Sequence, residues 1–426
     1  MSKLYYDVTQ LVHWQGEPTG IPRVMKELAV RFKKGEPGVK FVSWVKEPQA
    51  FCEVDLEASL GDGVVYVSDR RMHSKTGTLQ PISKRVAKKA VKLGAKLLPQ
   101  ASVRFENHLK GAYAQSLNKV DFINGDILFV PWGEWWDDNF IIKLKDWHNQ
   151  SGLKLVQLIH DMGPMVIPQL SGAGGAGGST VTFPNYCRQI LPISETVLAV
   201  SQNTKKDIIA WLKQNKLKVP RIEVFREGDD VKAGASVRPT DPTAKNIHNK
   251  NFILTVGTVE ARKNHFLLYY VYKLALARGL KLPKLVIAGR PGWGTEDIMR
   301  IMKNDPDVRG EILFLHGMSD AEISWLYDNC LFTIMPSFYE GWGIPVAESL
   351  SRGVPCLCSN TSSMVEIADG IVGYFSPVSS DECLAAITKW LKPDELKKVL
   401  EITKKYQPTT WDDSYHQVHD YIMEIQ

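Results

Sequence analysis

Two carboxylates, Glu340 and Glu348, stand with seven residues between them, among which are two glycines and a proline. The full string is Pro336-Ser337-Phe338-Tyr339-Glu340-Gly341-Trp342-Gly343-Ile344-Pro345-Val346-Ala347-Glu348. An apolar run from Leu331 to Met335 leads into it and reads as a buried strand. Gly341 and Gly343 let the backbone turn tightly and approach a ligand closely. Pro345 suits the first turn of a helix, which then runs through Ala347, Glu348 and Leu350 and stops near Gly353. Glu340 therefore belongs to the loop and Glu348 to the helix, about one turn in. A helix start offers free N–H groups and partial positive charge, which suit a phosphate. The acids are then available for hydroxyl groups on either side of it. A nucleotide sugar presents that order: hydroxyls, a diphosphate, more hydroxyls. The plainer reading is a strand–turn–helix with surface acids, which any α/β domain can contain.

A second string has complementary chemistry. Phe252 to Val256 is a short apolar run, followed by Gly257-Thr258-Val259-Glu260-Ala261-Arg262-Lys263-Asn264. Arginine offers a bidentate fork to phosphate oxygens and lysine a compact point charge. Adjacent cations of this kind can hold a diphosphate and stabilise it as it leaves. Most such pairs are simply solvated. At a helix start, however, they oppose the dipole, so an anion is expected nearby.

A third polar pair, His160-Asp161, ends the apolar run Val156-Gln157-Leu158-Ile159. Strand C-termini are where α/β proteins place functional groups. The alternative is a local turn capped by Asp161. Pro131-Trp132-Gly133-Glu134-Trp135-Trp136-Asp137-Asp138 sets three tryptophans among three acids. Such clusters are commonly core, but tryptophan beside acids also suits the faces of carbohydrates.

The two main strings resemble the donor site of family 4 retaining glycosyltransferases, most closely those mannosyltransferases that build bacterial O-antigen and capsule. The resemblance is best from about Asn251 to Pro377 and includes Ala288-Gly289-Arg290 and Phe314-Leu315-His316-Gly317-Met318-Ser319. It implies the GT-B architecture, two Rossmann-like domains with parallel sheets facing across a cleft. It implies donor contacts from Gly20, Gly257, Arg262, Lys263, Arg290, Gly317, Met318, Glu340, Gly341, Trp342, Gly343, Ile344 and Glu348. His160, Glu340, Lys263 and Arg262 are its implied catalytic group. Glu340 would take sugar hydroxyls, Glu348 the ribose, and His160 the donor sugar. Gly20 stands where many members carry two glycines. An acceptor surface would use Trp132, Glu134, Trp135 and Asp161. No metal and no cofactor are implied, since the cations and the helix dipole take the metal's place.

The rest of the chain is consistent with an α/β enzyme. Its 426 residues suffice for two domains. Strand-like runs near Leu4–Val8, Val39–Trp44, Val64–Val67, Ile127–Val130, Lys154–Ile159 and Leu198–Val200 alternate with helical stretches such as Pro22–Phe32 and Lys205–Gln214. The alternation resumes at Phe252, with runs near Lys284–Ala288, Ile312–Leu315, Leu331–Met335 and Pro355–Ser359. This pattern implies parallel sheets with right-handed crossovers. The expected domains are 1–231 and 251–405, joined by a Thr, Pro, Asn and Ala-rich linker at 232–250. A last helix at 406–426, with Tyr415, Val418, Tyr421 and Ile422 on one face, is expected to cross back to the first domain.

Six scattered cysteines without zinc spacing point to a reduced, cytoplasmic protein. No run is apolar enough to span a bilayer and no secretory leader is read. From Ser83 to Pro99 six Lys and Arg occur without one acid. As a helix, this segment would carry Val86, Ala90, Leu93 and Leu97 on one stripe, either to lie on an anionic membrane or to pack on its own domain. It lacks aromatics, so nucleic-acid binding is not expected. Ser171 to Thr180 is almost all glycine and alanine in its middle, and reads as an engineered replacement for a disordered loop or as a natural mobile one.

The expectation is a peripheral enzyme on the inner face of the bacterial cytoplasmic membrane. It would move mannose from GDP-mannose to a lipid-linked polysaccharide acceptor. dTDP-rhamnose and UDP-sugars are the alternative donors. A nucleotide-sugar epimerase, or a non-catalytic nucleotide-sugar-binding subunit of a polysaccharide assembly complex, is the alternative of another class. Oligomeric state is left open.

Overall fold

A computed structural model describes residues 2–14, 20–60, 117–172, 178–230, 235–292 and 294–425. The basic segment 83–99, the expected strand at 64–67 and the centre of the glycine-rich loop, 173–177, lie outside these residues.

The chain divides into two compact units, Met1–Ala29 with Gly35–Leu155, and Val30–Lys34 with Val156–Gln426. In the first, strands β1 (Leu4–Asp7), β2 (Lys40–Val45), β3 (Ala50–Glu53) and β4 (Ile127–Val130) are ordered β3-β2-β1-β4. β1 pairs in parallel with β2 and β4. The edge strand β3 runs antiparallel to β2 and was not expected from the sequence. Tyr6 packs edge-on against Phe129, with ring centroids 5.1 Å apart. Trp44 does the same against Phe140 at 5.6 Å.

β5 (Lys154–Ile159), whose residues from Val156 on belong to the second unit, forms three parallel neighbours with β6 (Thr196–Ala199) and β7 (Arg221–Val224). Then follow β8 (Phe252–Val256), β9 (Lys284–Ala288), β10 (Ile312–Leu315), β11 (Thr333–Met335), β12 (Cys356–Ser359) and β13 (Gly373–Phe375). These six make a parallel sheet ordered β10-β9-β8-β11-β12-β13. Their apolar runs are continuous because both faces are covered. On one face Ile253, Leu285 and Ile287 meet Leu268, Val271 and Trp390; on the other Phe252, Leu254 and Val286 meet Leu326 and Tyr327. Ala244 and Ile247, in the stretch read as a linker, are buried in that second cluster.

Parallel strands need crossover connections, so the loops at their C-terminal ends share one edge of the sheet. Both main strings lie in such loops, after β8 and β11. The last helix spans Trp411–Met423, opened by a capping box between Thr410 and Asp413. It buries Tyr415, Val418 and Ile422, while Tyr421 donates its hydroxyl to the Val224 carbonyl of β7. All six cysteines are free and buried. Among the described residues, no helix is long and apolar enough to cross a membrane.

Candidate active site

Glu340 lies on the loop that leaves β11, and the loop is tied down at every turn. Phe338 N donates to Arg262 O at 2.9 Å, joining it to the loop after β8. Asn264, left-handed at φ 54°, donates its side-chain amide to the carbonyls of Pro336 at 3.1 Å and Pro377 at 2.8 Å. Ser363 Oγ reaches the carbonyls of Glu340 and Trp342 at 2.9 and 2.7 Å. Gly343, at φ 107°, turns the chain into the helix Ile344–Ser351, with Pro345 in its first turn. Gly341 is required by close approach, because a Cβ there would meet the backbone oxygen of His160 at 1.7 Å.

The anion expected beside the two cations is Glu340 itself. Arg262 Nη1 donates to Glu340 Oε2 at 2.7 Å and to the Tyr339 carbonyl at 2.9 Å. Lys263 Nζ lies 3.8 Å from Glu340 Oε1, beyond hydrogen-bond distance. Ser337 Oγ donates to that same oxygen at 2.8 Å. Glu340 is only 6% exposed. Burial alone would raise its pKa, but Arg262 and then Lys263 override it and hold the carboxyl down at about 2. The same attractions, from Glu340, Asp161 and Glu260, outweigh the desolvation of Arg262 and keep its guanidinium charged. Burial, then Lys263, pushes the His265 imidazole down to about 3, so it stays neutral.

Gly257, at φ 133°, leaves room for the Lys263 ammonium, which a Cβ there would meet at 2.7 Å. The structure thus gathers Gly257, Arg262, Lys263, Glu340 and Gly341 with the His160-Asp161 pair, whose backbone abuts Gly341. Asp161 Oδ1 accepts from Gly163 N at 2.9 Å, which is the turn-capping role the sequence left open, and its charge also supports Arg262. Trp342 is buried under the Arg226 guanidinium, 5.6 Å from the ring centroid.

Other expected residues take different positions. Glu348 sits in the helix, half-buried, and accepts from Tyr327 Oη at 3.2 Å. The Arg290 side chain is exposed, Gly317 is left-handed at φ 66°, and Met318 packs on the sheet core. Gly20 (φ 59°) precedes the helix Ile21–Gly35, and its carbonyl accepts from Arg23 and Val24.

Trp132 is half-buried in the first unit. Trp135 meets Trp136 edge-on, and Glu134 is buried and accepts from Gln10. Burial raises the Glu134 carboxyl above its ordinary value. Asp137, beside them, is spent on structure: it caps the helix Asp138–Ser151 and accepts from Trp44 Nε1.

Sequence reading missed several residues. Glu227, 3% exposed, faces His160, with Oε1 3.5 Å from Nδ1. Asp7, at the end of β1, is buried beside Thr9, and burial pushes its pKa up to about 7. Neither sits in a string that signals its partner. Asp305-Pro306-Asp307 has Asp-x-Asp spacing, the pattern of metal-dependent transferases. Here Asp305 instead accepts from Tyr269 Oη at 2.7 Å and pairs with Lys273 at 3.1 Å.

Residues 237–406 match the family Glycosyl transferases group 1. The chain is 24% identical over 244 residues to the serotype-specific mannosyltransferase WbdA of Escherichia coli, covering 55% of this chain and 29% of that protein. It is 30% identical over 150 residues to the E. coli O-antigen chain mannosyltransferase B, covering 35% and 39%. The chain therefore spans well under two thirds of the length of these relatives. Anabaena HepE, solved in complex with UDP and glucose, superposes with a TM-score of 0.61 at 13% identity, covering all of both chains. Sucrose-phosphate synthase from Thermosynechococcus elongatus does so with 0.60 at 13%, covering 100% and 99%. The fold is accordingly the GT-B fold, and the match to the group 1 glycosyltransferase family is confined to residues 237–406.

Proposed function

We propose that this chain is a retaining glycosyltransferase that moves mannose from GDP-mannose to a bacterial polysaccharide acceptor, lipid-linked at the inner face of the cytoplasmic membrane. The observation that carries the reading is the cluster of Arg262, Lys263 and buried Glu340 beside the start of the helix Ile344–Ser351. The names of the relatives, mannosyltransferases of O-antigen, support mannose.

In transfer, the bond from the anomeric carbon to the phosphate oxygen breaks and its electron pair leaves on the diphosphate, while an acceptor hydroxyl oxygen bonds to that carbon and its proton passes to the departing diphosphate. Lys263, Arg262 and the Ile344 N–H at the helix start meet that charge without reorganising, because the Glu340 carboxylate and the stitched loops already hold them. Glu340, ionised, offers its carboxylate to sugar hydroxyls. His160 contacts the sugar, Glu348 the ribose, and Gly257, Arg290, Gly317 and Met318 the rest of the donor. Gly20, Trp132, Glu134, Trp135 and Asp161 serve the diphosphate and acceptor sides. No step is assigned to a metal. The basic stretch 83–99 would hold the enzyme against anionic lipid.

Thermal unfolding with GDP, UDP, dTDP and ADP tests the donor. A ligand at about 100 times its dissociation constant adds about 2.7 kcal/mol if it binds only the folded state. A selective shift with GDP supports the mannose reading. A shift with UDP or dTDP instead keeps the transferase and replaces its donor.

A further inference from the structure

We infer that Glu227 is the positioning residue that sets the orientation and tautomer of His160, and so tunes contact with the donor sugar rather than with the nucleotide. The inference rests on the transferase reading for its consequence, but not for the pair itself. Glu227 leaves β7 in the string Arg226-Glu227-Gly228-Asp229-Asp230, where nothing marks it as functional.

The string is clamped. Asp229 N donates to Thr409 O at 2.9 Å, and Asp229 Oδ1 accepts from Thr409 N at 2.8 Å. Trp411 N donates to Asp230 Oδ1 at 3.0 Å. Gly228 lies against the Trp411 ring, where a Cβ would come within 2.5 Å. Arg226 is held by Tyr406 Oη at 2.6 Å and covers Trp342. Glu227 is thus presented by a rigid backbone. Its carboxylate is almost fully shielded from water and faces a similarly shielded imidazole at 3.5 Å.

A carboxylate facing Nδ1 selects the ring form with the proton on that nitrogen and leaves Nε2 as the other working atom. Burial leaves no bulk water to take the carboxylate's place. The His160 carbonyl is fixed against Gly341, next to Glu340, so the ring's orientation is set where the donor sugar is proposed to lie.

The test combines nitrogen-15 spectroscopy of the His160 ring, assigned with His160→Gln, with binding of GDP and GDP-mannose. Glu227→Ala is expected to remove the Nδ1-protonated signature. It should weaken GDP-mannose binding on the order of tenfold, the scale of one lost hydrogen bond, with GDP binding unchanged. Glu227→Gln, which keeps an acceptor oxygen and the side-chain volume, should restore most of both. An unchanged His160 tautomer in Glu227→Ala overturns the inference. So does an equal loss of GDP and GDP-mannose affinity, which would mean a structural role. If the parent protein binds no sugar nucleotide, the transferase reading fails, while the ring signature still decides whether Glu227 sets the tautomer.

Discussion

At the scale of single residues, Glu340 has two roles that pull against each other: partner to Arg262 and Lys263, and proposed partner to sugar hydroxyls. Its own ionisation links it to stability. The folded-state pKa is depressed from 4.5 to about 2, so its contribution is complete above about 4.5 and is lost as pH falls from there through about 2. Asp7 has the opposite sign. Its pKa is raised from 3.8 to about 7, so the folded state holds its proton more tightly and stability declines as pH rises across that window. Denaturant titrations between pH 4 and 8 should show a smaller decline for Asp7→Asn than for the parent. Equal slopes would remove Asp7 as the source. Lys263→Ala should lower transfer by roughly 10²-fold or more, as for loss of a charge-stabilising donor, with thermal unfolding near that of the parent. Near-normal turnover would take this lysine out of the phosphate site.

At the scale of elements, the strand-to-loop junctions carry the argument. The strings after β8 and β11 were legible in the sequence because each is local: an apolar run, glycines, then charge at a helix start. β3, β7 and β13 were not. Ala50–Glu53 is a short edge strand, Arg221–Val224 is half polar, and Gly373–Phe375 is three residues opening with glycine. Pairing with a neighbour, not propensity, makes them strands. Glu227 was invisible for a related reason. It meets His160 from 67 positions away, and no local pattern encodes that meeting. Asn264 is similar, reading as a loop residue while its amide joins Pro336 and Pro377. Gly341→Ala should cost about 1–3 kcal/mol through the clash with the His160 carbonyl, and should weaken GDP-mannose binding more than the lost stability explains. Urea unfolding alongside calorimetric titration would check both. An alanine variant with parental stability would mean that the two loops are less tightly apposed than described.

At the scale of the whole molecule, the alternation of strands and helices was sufficient for the fold class, since parallel sheets with crossovers admit few alternatives. The role of the C-terminal helix depends on packing that sequence shows only as an apolar stripe. Tyr415 lies edge-on to Phe32 at 5.0 Å, and Tyr415→Ala should cost about 3 kcal/mol by opening a cavity there. A shift in the urea midpoint near zero would contradict that packing. Membrane attachment is a separate proposal: replacing Lys88, Lys89 and Lys92 with glutamine should reduce co-sedimentation with anionic vesicles, and unchanged binding would assign 83–99 no such part. The most direct test of the central claim is sugar transfer itself. The protein would be incubated with GDP-mannose and lipid-linked polysaccharide precursors, following GDP release and mannose incorporation together. Acceptor-dependent release of GDP matched by incorporated mannose is expected, lowered by roughly 10²-fold or more in Lys263→Ala. Binding of sugar nucleotides with no transfer from any of them to any such precursor would contradict it, and would leave a binding subunit in the enzyme's place.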